Sequence, residues 1–335
     1  MSGALIQTGK SFMGSGGRWA SEQMLKALKE GRPFSTDELR TADTLRKDEW
    51  KAYDTALVRE GVIRLRGVAD LVGAGLVKTV ANGFGKTVFE WETVTDMDEA
   101  SVSMDGISRT DNDRQEFDLE GIPLPIIHKD FFLHMRHLAA SRERGEPLDT
   151  MQAGTAGRVV SEMVEQILFQ GTTKKFRGLS LYGYTTHPNR NTSAFGTGGA
   201  WTGAKTGDQI LTDVLTMIAG LEADRFYGPY WLYVGSSSST KLEEDFKANS
   251  DKTIRQRLLE VDRLQRVTVA DKMPAGEVVM VQPTMDVVSM VEGAPLQSIQ
   301  WDVEGGMRVN FKAMTINVPL IRADVDGRSG VFHMS

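Results

Sequence analysis

The amino-acid sequence predicts an α+β protein in which helices cover a compact sheet. Helical and strand patterns alternate between residues 206 and 290, and the last forty residues read as strands joined by Gly-containing turns. A long apolar-periodic helix, 149–170, precedes both.

The 335 residues are 40% hydrophobic and 25% charged, a composition that supports a folded core. The net charge of −6 is unlike the strong basic excess of a dedicated nucleic-acid binder. With no cysteine in the chain, disulfides, thiolate nucleophiles and Cys-ligated metals are excluded. No apolar run reaches the length of a membrane span, and the N-terminus lacks the apolar core of a signal peptide. A cytosolic product without a membrane partner is expected.

Residues 1–66 form an arm with two helical stretches. "ASEQMLKALKE" has Ser21 as N-cap, and the stretch from Ser35 to Arg66 opens on a Ser35–x–x–Glu38 capping box. Neither is apolar enough to form a core alone. From Lys86 to Pro125 the pattern alternates as in strands, broken by acidic turns. Residues 90–120 carry eleven Asp or Glu against Arg109 and Arg114. A charged two-stranded excursion cannot bury a core of its own, so it is expected to lie over another surface.

"IPLPIIHKDFFLHMRHLAASRERG" reads as a strand followed by a helix with a basic face. The helix 149–170 has Asp149 as N-cap, and Ala156, Val159, Val160, Met163, Val164, Ile167 and Leu168 recur at helical spacing. Gly154, Ala156 and Gly157 keep its first half slim, so another backbone can approach. Gly171 ends it where a left-handed residue is wanted. A basic loop with Lys174, Lys175, Arg177 and Gly178 follows. "DQILTDVLTMIAGLEADRF" is expected as a helix, "YGPYWLYVG" as a strand, and "SSSSTKLEEDFKANSDKTIRQRLLEV" as a helix capped by its serine run. "RVTVAD", "EVVMVQP" and "MDVVSMVEG" are strands.

No catalytic motif survives inspection. "VANGFGKT" ends like a phosphate loop, but Val80 stands where glycine is required and a strand, not a helix, follows. "GSGG" at 14–17 reads as a flexible arm. His128, His134 and His137 lack further ligands at metal-binding spacing and read as part of a basic face. A nucleophile elbow is absent.

The order of parts resembles the major capsid protein family of tailed bacteriophages, whose fold encapsulin shells share. Ala153, Ala156, Glu165, Gly171 and Gly178–Leu179 match that family's spine helix and the loop behind it. "FYGPYWLYVGSSSSTKLEEDF" and "MDVVSMVEGAPLQSIQWD" are similar to its aromatic-proline strand and to the strand re-entering the peripheral domain. The resemblance implies an extended β-hairpin loop and its approach at 67–125. It further implies a peripheral domain at 126–205, an axial domain at 206–290 and returning peripheral strands at 291–335. Its implied function is a structural, non-enzymatic, cofactor-free subunit that assembles with its copies into pentamers and hexamers of an icosahedral virion shell in the host cytoplasm. DNA, scaffolding, portal and decoration proteins are the implied partners.

The resemblance makes Glu99, Asp105, Arg109, Asp111, Asp113, Arg114 and Glu116 of the extended loop inter-subunit residues. Lys129, Arg136, Arg142, Lys174, Lys175 and Arg177 would form the complementary basic surfaces, and Gly171 and Gly178 the structural turns. Lys10, Arg18, Lys26, Lys29 and Arg32 make the arm basic enough to face DNA. The chain departs from the family in one respect. No lysine lies between Thr87 and His128, so the covalent loop cross-link of some members is not expected. An encapsulin shell around a protein cargo is the alternative, and a cytosolic enzyme without a recognisable motif the third.

Overall fold

The computed structural model describes residues 12–14, 17–20, 52, 55–59, 66–94, 104, 115, 117–144, 150–247, 251–303, 307–324 and 326–335. Its contacts divide the chain into two units. One comprises Met1–Thr87, Leu124–Leu168 and Met290–Val318; the other Val88–Pro123, Phe169–Ser289 and Pro319–Ser335. Of the arm, the described residues include a short antiparallel pair, β1 (Phe12–Gly14) and β2 (Gly17–Ala20). The glycine-rich stretch expected as a flexible arm therefore joins two strands. The caps assigned to Ser21, Ser35 and Asp149 lie outside the described residues.

In the first unit, α1 (Gly67–Gly73), β3 (Val77–Thr79), β6 (Ile127–His134) and α2 (Met135–Arg144) accompany the spine helix α3 (Met151–Gln170). A four-stranded sheet runs in the order β3-β13-β14-β6, with β13 (Val288–Val303) and β14 (Arg308–Ile321) its long central strands. β14 and β6 are antiparallel, and the alternation of strand side chains turns Phe131 and Phe311 inward as a stacked pair with ring centroids 5.1 Å apart.

The spine helix buries Ala153, Ala156, Val160, Val164, Ile167 and Leu168. Val159 and Met163, expected on that face, are exposed instead, and Ser161 and Glu165 take the inward positions. The slim first half does what its glycines imply: a Cβ at Gly157 would collide with the backbone carbonyl of Leu57.

In the second unit, five strands run in the order β11-β10-β12-β15-β9. These are β11 (Leu264–Ala270), β10 (Tyr230–Gly235), β12 (Val278–Val281), β15 (Val331–Met334) and β9 (Asn191–Ser193). Every residue of β10, β12 and β15 is buried, as expected of strands covered on both faces. Leu232, Val234, Val278, Met280 and Phe332 pack with Ile210, Val214, Met217 and Leu221 of α4 (Gly207–Ala223). Elsewhere in the unit Phe169, Tyr184 and Tyr233 form an aromatic cluster, with Phe169 and Tyr233 ring centroids 5.3 Å apart.

Two further expectations change. The helix expected over 236–261 is broken into a 3-10 turn (Ser236–Ser238), α5 (Ser239–Leu242) and α6 (Ile254–Leu259), with an Asp245–Thr253 bridge between. Its serine run makes no side-chain cap; Thr253 caps α6 in a reciprocal box with Gln256, as Thr206 caps α4 with Gln209. The returning strands 291–335 are also divided, because β15 pairs with β12 and not with the long sheet.

Candidate inter-subunit surfaces

The end of the spine helix explains its glycine. Gly171 adopts φ +68°, and a Cβ there would lie 2.7 Å from both the Gly183 nitrogen and the Leu181 carbonyl oxygen. The open carbonyls of the last helical turn are satisfied by what folds back. Thr185 donates both its backbone N–H and its hydroxyl to the Phe169 carbonyl, each at 2.9 Å. The Thr186 hydroxyl donates to the Gln170 carbonyl at 3.0 Å.

The stretch expected as a basic loop is a β-hairpin. β7 (Thr172–Phe176) and β8 (Leu179–Leu181) pair antiparallel, with Phe176 opposite Leu179. The two residues between them, Arg177 and Gly178, have φ +52° and +84°, the double positive φ of a tight hairpin turn. Lys174, Lys175 and Arg177 are exposed on this hairpin.

The extended hairpin is present as β4 (Val88–Val94) paired with β5 (Phe117–Pro123), from Val88 opposite Pro123 to Val94 opposite Phe117. Glu99, Asp105, Arg109, Asp111, Asp113, Arg114 and Glu116 lie outside the described residues. One face of the described ladder carries Phe117 and Leu119, 66% and 63% exposed, beside Glu90 and Glu92. The other carries Trp91 and Glu120, whose carboxyl is raised above its ordinary value by burial and by Asp118, against the pull of Arg322. A groove of about 520 Å³ opens here, lined by Trp91, Glu120, Tyr182, His187, Asn189 and Ile321 among others. Burial, and secondarily Arg190, lowers His187 to a pKa of about 4, so its ring is neutral in neutral solution.

In the other unit, Lys129 and Arg136 are exposed on β6 and α2, and Arg142 lies in α2. His128 stands 3.4 Å from Asp130, and the His134 and His137 rings are 6.2 Å apart on the same basic stretch. Arg308 lies over Phe132, 3.8 Å from the ring centroid. Arg18 falls in β2, while Lys10, Lys26, Lys29 and Arg32 lie outside the described residues.

Two buried polar constructions escaped the sequence. The Glu165 carboxylate, 2% exposed, accepts the backbone N–H groups of Arg66, Gly67 and Val68 at 3.1, 2.7 and 3.2 Å. Lys205 and Asp213 form a buried ion pair at 2.5 Å, with Trp201 Nε1 donating to the same carboxylate oxygen at 2.7 Å. Periodicity marks such positions as interruptions of the apolar pattern and is silent about their partners.

Residues 40–334 match a family model described as a family of unknown function (DUF6260). The chain belongs to that family. Over 107 residues the DUF6260 chain is 30% identical to the type 1 encapsulin shell protein EncA of Myxococcus xanthus (strain DK1622). That match covers 32% of the chain and 34% of EncA, so the chain spans about a third of this relative's length.

Two solved structures share the architecture across most of the chain. The capsid of Myoviridae phage XM1 superposes with a TM-score of 0.60 at 13% identity, covering 80% of this chain and 91% of that one. The virus-like particle from Pyrococcus furiosus gives 0.58 at 15% identity, covering 85% and 99%. The DUF6260 chain has the tailed-phage major capsid fold, the fold that encapsulin shells share. Among the described residues no helix is long and apolar enough to cross a membrane.

Proposed function

We propose that the chain is a tailed-phage major capsid protein, a structural and non-enzymatic subunit that assembles with its own copies into an icosahedral shell around packaged double-stranded DNA. The carrying observation is a shell-protein fold that accounts for 80–85% of the chain. The β4–β5 hairpin fits this role. It holds Phe117 and Leu119 in solvent, an apolar surface that gains stability when a second subunit covers it. Glu90, Glu92 and the acidic residues between Glu99 and Glu116 would then meet a basic surface of the neighbour. Lys129, Arg136 and Arg142 on one unit, or Lys174, Lys175 and Arg177 on the other, have the complementary sign. Opposite charges across such a contact set register and encounter rate more than affinity.

The second reading, an encapsulin shell around a protein cargo, is favoured by the sequence identity to EncA. Contents separate the two. Particles isolated from the native source and treated with nuclease should retain protected double-stranded DNA if the phage reading holds. A single co-purifying protein species with no protected nucleic acid would establish the encapsulin reading instead.

A further inference from the structure

We propose that Glu277, His333 and Arg190 form an acid-sensitive latch holding β9 on the edge of the five-stranded sheet, and that protonation of His333 releases the segment 187–193. The inference concerns one unit of one chain and does not depend on the shell reading.

His333 lies in β15, with Val279 of β12 on one side and Thr192 of β9 on the other. Its neighbour Phe332 packs against Gly220 of α4, so strand alternation turns His333 to the opposite face of the sheet. There the ring is 4% exposed. Its Nε2 is 3.0 Å from Glu277 Oε2, and Arg190 Nε donates to its Nδ1 at 3.3 Å. A guanidinium has no acceptor, so Nδ1 must be the bare nitrogen and Nε2–H the donor to Glu277. The arrangement admits one state of the ring: neutral, with a fixed tautomer.

Arg190 immediately precedes β9 and also donates from Nη1 to the His187 carbonyl at 2.7 Å, tying the segment together. A second proton on His333 occupies Nδ1. The bond to Arg190 then becomes an N–H facing an N–H, with two cations side by side in a buried site. Glu277 favours the extra proton; burial, the larger influence, and Arg190 oppose it, and the balance holds the ring below the ordinary histidine value. Asp224, at the end of α4, bonds to the Asn191 side chain, and His187, on the segment itself, stays neutral down to about pH 4. Release would also free His187 to take a proton, so the part of the opening that belongs to His333 is the part that removing the His333 ring abolishes.

The latch holds little else in place. β9 contributes three parallel pairs, Asn191, Thr192 and Ser193 against Phe332, His333 and Met334. The other four strands remain paired without it. Its departure would leave β15 as an open edge able to accept another strand.

The test is hydrogen exchange by mass spectrometry on the full chain, normalised at each pH to a free peptide of residues 185–195. Protection of amides 190–195 should fall about tenfold or more between pH 7.5 and pH 5, while peptides from β10 keep theirs. His333→Gln supplies an acceptor for Arg190 and a donor for Glu277 but takes no proton, so its protection should fall distinctly less than the wild type's, by no more than His187 contributes. A wild-type profile flat between these pH values, or an equal loss in His333→Gln, would overturn the latch. If His333→Gln does not fold, Glu277→Gln serves: without the carboxylate that steadies the charged ring, protection of amides 190–195 at pH 5 should fall below the wild type's. Protection at pH 5 equal to the wild type's contradicts the proposal.

Discussion

Glu165 and Gly67, 98 residues apart in the chain, are joined by a 2.7 Å hydrogen bond from the glycine N–H to the buried carboxylate. With the bonds from Arg66 and Val68, it makes one side chain of the spine helix the cap for the first turn of α1. Glu165→Ala leaves three backbone donors without that acceptor. We expect a loss of roughly 3–5 kcal/mol, seen as a lower denaturant midpoint, since each buried unmet donor costs about 1–3 kcal/mol and partial rehydration recovers some. Glu165→Gln, which keeps one acceptor oxygen, should lose less.

The same carboxyl gives a signed pH effect. Burial raises its folded-state pKa, with the three backbone bonds opposing. The folded chain thus holds the proton more readily than the unfolded chain. The stability linked to this group is full below the ordinary carboxylate value and is lost as pH rises through the raised value. Glu165→Gln should remove that part of the pH dependence, measured as denaturant midpoints between pH 4 and pH 8.

His187 acts with the opposite sign. Its folded pKa of about 4 lies below the ordinary 6.5, so its contribution is full above pH 6.5 and lost as pH falls to about 4. The shift corresponds to at most roughly 3 kcal/mol. His187→Phe should lessen the fall of the melting temperature between pH 6.5 and pH 4.

Two turn glycines should respond differently to the same substitution. Gly171→Ala adds left-handed strain of about 1–2 kcal/mol and a Cβ driven into the Gly183 and Leu181 backbone, so soluble yield should collapse. Gly171→Val should be worse. Gly178→Ala meets nothing within 4 Å and should lose only the strain. Equal melting temperatures for the two alanine variants would show that the packing at Gly171 is misassigned.

Phe117 tests assembly separately from folding. It is 66% exposed, so Phe117→Ser should change the stability of the unassembled chain by no more than about 0.5 kcal/mol. Particle yield in sedimentation should nevertheless fall. Unchanged yield would remove the apolar face of the hairpin from the inter-subunit contact.

The sequence was most informative where one physical pattern dominated. Helical periodicity located the spine and α4, continuous apolar runs located β10 and β12, and the glycine after Gln170 marked a left-handed turn that the structure contains. It was least informative where partners lie far apart in the chain. Val159 and Met163 satisfy the helical pattern but face outward, while Ser161 and Glu165 lie buried on the inner side, Glu165 bonded to Arg66, Gly67 and Val68. The affiliation of β15 depends on pairing with Val278–Val281, which nothing in "VFHM" encodes locally. Arg177 at φ +52° hid a tight hairpin, since an arginine there does not signal the turn as asparagine would. Glu277, His333 and Arg190 come from three separate segments, and no spacing rule joins them.

The most direct measurement is cryo-electron microscopy of the full-length protein, purified from expression alone and, if it stays unassembled, together with the gene products of its native locus. The shell assignment predicts closed icosahedral particles of uniform size in one of the two preparations, with the β4–β5 hairpin of each subunit lying on a neighbour. Small soluble species in both preparations, or shells whose hairpins touch no second subunit, would contradict it.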